Sequence, residues 1–147
     1  MRAARWHPLS ESTLCVLTSD DVLRVYDVSV DAANPQTEIR LSGGDAGASV
    51  ADFGFGRQVG WERFAVFGLL ADGGVVTACP VCPAGAFAPR AAMRALARGA
   101  AEGSAARAWL DEAFPALGAG GADDEDGNAV VVRASSAVGS WPAPVVQ

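Results

Sequence analysis

A strand–turn–strand pattern occurs twice in this sequence, about fifty residues apart. In the first copy the apolar run Thr13 to Thr18 meets the turn Ser19-Asp20-Asp21 and continues as Val22 to Val28. In the second, the run Phe64 to Leu70 meets Ala71-Asp72-Gly73-Gly74 and returns as Val75 to Cys79, closed by Pro80. Asp and Ser favour turns because their side chains bond the nearby backbone, and Gly because it accepts left-handed φ. The runs themselves are rich in β-branched and aromatic residues, which suit a pleated, half-buried surface. Leu14 to Leu17 aligns with Phe64 to Phe67, and Asp21 to Val25 with Gly74 to Ala78. The interval is slightly longer than the roughly 40–45 residues of a WD-type blade and suggests a β-propeller. An antiparallel sandwich gives the same texture, so periodicity alone leaves both architectures open.

Further strands flank the repeat. Ala3 to Trp6 is stopped by His7-Pro8, and Ser49 to Phe55 precedes the second unit. Thr37 to Leu41 alternates, with Thr37, Ile39 and Leu41 on one face and Glu38 and Arg40 on the other. The middle of the chain breaks the pattern. Pro89 precedes an Ala-rich segment, and Pro at the first helical position with Ala behind it predicts a helix. Ser104 is placed to cap a second helix, ended by Pro115 and Gly118. Ala106, Trp109, Leu110, Ala113 and Phe114 fall at helical spacing and give it an apolar face, while Arg107 and Asp111 form an i, i+4 pair. A Gly-rich acidic loop follows at about residues 118–128, and Ala129 to Arg133 regains strand character. The expectation is a helical insertion at about residues 89–117 within an all-β chain.

Composition narrows function more than fold. The chain has 147 residues, 50% of them hydrophobic, enough to bury a real core. Its net charge is −6, and it has no Lys. Much of the acidity sits in Asp123 to Asp126. General nucleic-acid binding needs clustered cations and is not expected. The longest apolar run, Phe64 to Ala71, is far short of the roughly 20 residues of a membrane span. No apolar signal-peptide region follows the N-terminal Arg residues, and three Cys do not make a disulfide framework.

Candidate chemistry is sparse. Cys79-Pro80-Val81-Cys82 is a CxxC, the only opening for a thiol oxidoreductase. It follows a strand, whereas low thiol pKa values are produced at a helix N-terminus. Adding Cys15 and His7 would make a Cys3His zinc set, but without a second spaced pair. His7 is the single His, and no G-x-S-x-G nucleophile elbow exists. Phe53-Gly54-Phe55-Gly56 is no dinucleotide fingerprint, since no helix pattern follows. Arg90, Arg94 and Arg98 form a basic stripe that suits either solvent or an acidic partner. The expectation is no catalytic residue, no metal and no cofactor.

Several blocks resemble one family in order along the chain. Trp6-His7-Pro8-Leu9-Ser10-Glu11-Ser12, then Val16-Leu17-Thr18-Ser19-Asp20, then Leu23-Arg24-Val25-Tyr26-Asp27, resemble the N-terminal propeller of the nucleoporin 88 family. Its plant and algal branch is matched further on by Cys79-Pro80-Val81 followed by Pro83. Trp109-Leu110-Asp111-Glu112-Ala113-Phe114-Pro115-Ala116-Leu117 matches that branch's helical insertion. Pro142 to Gln147 resembles the approach to the family's next strand. The resemblance implies a partial, truncated β-propeller of WD-like blades, two and part of a third. It implies a non-enzymatic scaffold on the cytoplasmic face of the nuclear pore complex, in the nucleus. Such a scaffold supports mRNA export, ribosomal-subunit export and protein transport by docking other nucleoporins. Transport receptors would be engaged only indirectly, and nucleic acid not directly. A generic WD-like adaptor outside the pore shares the fold but not the partners. The expected structural anchors are Trp6, Leu17, Leu23, Val25, Tyr26, Phe53 and Phe67, with Trp109 and Phe114 seating the insertion.

Overall fold

The computed structural model describes residues 1–41 and 47–117, with the backbone of Val131–Arg133 and Val145–Val146. The acidic loop expected at 118–128 lies outside the described residues. Strands β1 (Ala3–Trp6), β2 (Thr13–Leu17), β3 (Val22–Asp27) and β4 (Thr37–Arg40) form a first antiparallel sheet in chain order. Strands β5 (Val50–Phe55), β6 (Val66–Leu70) and β7 (Val75–Cys79) begin a second. Strand β8 (Phe87–Pro89) pairs with β9 (Val131–Arg133) in a separate two-stranded ribbon. Strand β10 (Val145–Val146) returns to pair with β7 and completes the second sheet in the order β5-β6-β7-β10.

The two four-stranded sheets stack face to face. Alternation decides which residues meet: β2 reads buried at Thr13, Cys15 and Leu17 and half-buried between. Cys15, Leu17, Leu23, Val25, Ile39 and Leu41 of the first sheet pack on Val50, Phe53, Val66, Val76 and Ala78 of the second. Gly68 of β6 lies where a Cβ would meet Val76 and Val50 and, across the seam, Leu41, so a side chain there would push the sheets apart.

Between β7 and β10 the chain leaves the sheet. Helix α1 (Arg90–Gly99) and helix α2 (Ala105–Ala113) fold over the 3-10 helix Gly60–Phe64 and the segment leaving β7. Pro89 precedes α1 as its N-cap, one position earlier than expected, because it also ends β8. Ser104 caps α2, its side chain accepting from the Arg107 N–H at 3.2 Å. Val145–Val146 is a strand of the second sheet rather than the approach to another one.

Gly56 holds the entrance to the 3-10 helix. A Cβ there would lie 2.2 Å from the Glu62 backbone oxygen, a group that cannot rotate away. Gly56→Ala is expected to destabilise the chain by about 1–3 kcal/mol in urea unfolding. A neutral result would show that this turn can open without cost.

Candidate interaction surface

Six of the nine expected anchors are buried: Leu17, Leu23, Val25 and Phe53 between the sheets, Trp109 and Phe114 beneath the helices. Trp6 is a correction. Its side chain is 58% exposed. It stands opposite Leu14, which pairs with Tyr26, on the face of the first sheet turned away from the second. An exposed side chain on that face anchors no core. Tyr26, on the same face, and Phe67, on the outward face of the second sheet, are half-buried.

Charged residues tie the sheets together, and the sequence reading missed them. Arg5 lies on the inward face of β1 and grips Asp52 of β5 with two bonds, at 2.6 and 3.0 Å. Its guanidinium also lies 5.0 Å from the Phe53 ring. The bond from Arg5, helped by the Phe53 N–H, draws the Asp52 pKa below its ordinary value. Arg2 donates to Asp21 at 2.7 Å and to the Val50 carbonyl, and Asp21 accepts from the Val50 N–H at 2.9 Å. Asp21 holds φ at +61°, a conformation that Asp tolerates better than most residues. A charged residue at an inward-facing strand position was the available signal for Arg5. Asp52→Asn is expected to cost under about 1 kcal/mol, since both partners are over a third exposed and salt screens them. A larger loss in 150 mM salt would overturn that ranking.

On the outward face of the first sheet, Arg24 reaches Asp20 at 2.9 Å, Glu38 at 2.7 Å and the Thr18 hydroxyl. Beneath the helices lies an aromatic cluster. The Phe64 ring sits 5.0 Å from Trp109 and 6.0 Å from Phe114, and Trp61 is 5.9 Å from Trp109. Arg90 and Arg94 of the basic stripe are half-buried and Arg98 is exposed.

The thiols are not poised for redox chemistry. Burial pushes Cys15 and Cys82 up to about 12, and raises Cys79 as well. Thiol nucleophiles need the opposite shift. His7 is 3% exposed, and its Nδ1 accepts from the Leu9 N–H at 3.2 Å. Its ring meets Phe55 edge-on at 4.9 Å, and burial lowers its pKa to about 4. Among the described residues no cluster of His, Cys, Asp and Glu could hold a metal ion. Among them, too, no helix is long and apolar enough to cross a membrane.

The surface is therefore one of sheet faces, turns and a docked helical layer. No family model matches the chain. The nuclear pore complex protein NUP88 of Arabidopsis thaliana is 34% identical over 151 aligned residues, covering 89% of this chain. The chain is homologous to nucleoporin 88. It spans 18% of that relative's length. A chain of the Chaetomium thermophilum heterotrimeric Nup82 NTD-Nup159 TAIL-Nup145N APD complex matches with a TM-score of 0.64 and 20% identity. That match covers 99% of this chain and 36% of the solved one. Together with the two stacked four-stranded sheets, it gives the nucleoporin 88 homologue the fold of a partial β-propeller, each sheet a blade.

Proposed function

We propose that this chain is part of a structural nucleoporin, a scaffold of the nuclear pore complex that docks other nucleoporins. The identity to NUP88 along most of the chain carries this reading. The fold likeness to a chain solved within a complex of nucleoporins supports it. In this reading the protein acts on the cytoplasmic face of the pore and supports mRNA export, ribosomal-subunit export and protein transport. It does so by presenting surfaces, not by catalysis. Burial raises all three thiol pKa values, which weighs against thiol chemistry at Cys79 and Cys82. Residues 89–117 are proposed as an insertion within the second blade, since α1 and α2 lie between its third and fourth strands. The test is affinity purification of the tagged full-length protein with imaging of the nuclear rim. Rim staining and recovery of nucleoporins are expected. Recovery of non-pore partners alone, with no rim signal, would sink the reading in favour of an adaptor outside the pore.

A further inference from the structure

We propose that the solvent face of α1 docks an acidic helical segment of a partner protein, held by the row Arg90, Arg94 and Arg98. The helical period defines this face. At 3.6 residues per turn, Arg90, Ala91, Arg94, Ala95 and Arg98 fall within about 140° of arc. The opposite side carries the buried Met93, with Ala92, Leu96 and Ala97 packed on the core beneath the helices. Ala91, Ala95 and Arg98 are exposed. Elsewhere Arg2, Arg5, Arg24, Arg57 and Arg107 each hold a carboxylate. Among the described residues no carboxylate pairs with Arg90 or Arg98. The Arg90 Nε is shielded from solvent and has no hydrogen-bond partner. A donor withheld from water is costly to leave unmet, so this guanidinium has bonding to gain from an arriving carboxylate.

Charge and spacing select the occupant. The chain as a whole carries −6, so a cationic row on its surface is complementary to an acidic partner. Asp111 and Glu112 are exposed on the neighbouring α2 and would repel the continuous phosphates of a nucleic acid, whereas a peptide can place its acids one by one. Arg90 and Arg98 lie about 12 Å apart along the helix axis. The chain's own acid run, Asp123 to Asp126, spans only about 10 Å when fully extended and falls short of both. A partner helix with Asp or Glu about seven or eight residues apart matches the row, and the small Ala91 and Ala95 let it approach closely. The inference deepens the docking role proposed above and rests on that reading only in expecting a protein partner.

Site-specific photocrosslinking in native assemblies of the full-length protein tests it, with a benzophenone side chain in place of Ala95. Mass spectrometry of the product is expected to find an acidic segment of another polypeptide. Arg90→Glu with Arg98→Glu should lower the yield about tenfold, and Arg90→Lys with Arg98→Lys should hold it within about twofold. Raising salt from 0.1 to 0.5 M before photolysis of the otherwise unaltered protein should also lower it about tenfold, a reading that does not depend on how the Glu variant folds. A yield indifferent to salt would overturn the proposal. So would a crosslink to Asp123 to Asp126 of the same chain, to nucleic acid or to a segment without acids, or no crosslink at all. Rim staining and recovery of nucleoporins without the acidic crosslink would remove this surface and leave the pore reading standing. An acidic segment captured from a non-pore protein, with no rim signal, would do the reverse.

Discussion

Phe64→Ala is expected to lower the unfolding free energy by about 3–5 kcal/mol, the range for a large aromatic removed from a core. Phe64 is fully buried in the core beneath the helices. Its ring packs on Trp109 and Phe114 of the helical layer, at 5.0 and 6.0 Å. Its carbonyl accepts from the Val81 N–H at 2.7 Å, where the chain leaves β7. The truncation removes the ring against which Trp109 of α2 and Phe114 at its C-terminal end pack, and leaves a cavity there. A domain holds only about 5–15 kcal/mol in all, so this single change removes a large share of the total. Urea unfolding followed by tryptophan fluorescence checks it, because Trp61 and Trp109 both report on this cluster. Leu69→Ala is the control, on a half-exposed residue, and is expected to change stability by no more than about 0.5 kcal/mol. If Phe64→Ala proves as mild as the control, the helices hold their place without the aromatic cluster.

The second large effect is a loss of stability in mild acid. His7 titrates near 6.5 when the chain is unfolded and near 4 when it is folded, because burial disfavours the imidazolium. Above pH 6.5 the ring is neutral in both states and contributes no pH dependence. Below it the unfolded chain takes up a proton that the folded chain refuses, so stability falls as pH falls. The loss grows by about 1.4 kcal/mol per pH unit down to about pH 4, or about 2 kcal/mol between pH 6.5 and 5. Carboxylates act in a lower window. Asp52 and Asp27 have folded pKa values drawn below 3.8, so their contribution is complete above that value and fades beneath it. Urea midpoints at pH 7 and pH 5 therefore isolate the histidine. His7→Asn keeps an acceptor for the Leu9 N–H and should flatten the profile between those pH values. A wild-type midpoint equal at pH 7 and 5 would mean that the ring reaches water.

Most of the local structure was legible because it is written in short-range patterns. β1 through β5 and β7 appear where alternation and turn residues put them, while β6 begins only at Val66 because Phe64 closes the 3-10 helix. Thr37 to Leu41 shows the expected division, Ile39 and Leu41 buried and Glu38 and Arg40 exposed. Ser104 caps its helix, and Arg107 reaches Asp111 at 3.2 Å. The interaction surface was less legible. Arg5 reads in sequence as one charge at a strand end, and its partner Asp52 is 47 residues away. Trp6 reads as a core aromatic by residue type, yet parity puts it in the row of Leu14 and Tyr26, on the face turned away from the second sheet. Which of two faces is covered depends on a neighbouring sheet, and no local pattern records that.

By itself, the sequence determined the kind of most elements and, where polar and apolar residues alternate as in β4, which side of the strand is buried. Backbone propensity, side-chain period and turn chemistry act within a few residues, so one chain suffices to read them. The family resemblance added the propeller, which periodicity alone had left level with a sandwich. The tertiary structure decided which strands are partners. It brought Val145–Val146 back to β7 across the whole helical excursion, and paired Phe87–Pro89 with Val131–Arg133. Backbone N–H and C=O groups are the same in every residue, so a strand edge accepts any strand that arrives in register. The arrival is set by how the intervening helices bury Phe64, Trp109 and Phe114, a many-body packing outcome that no stretch of the sequence specifies alone.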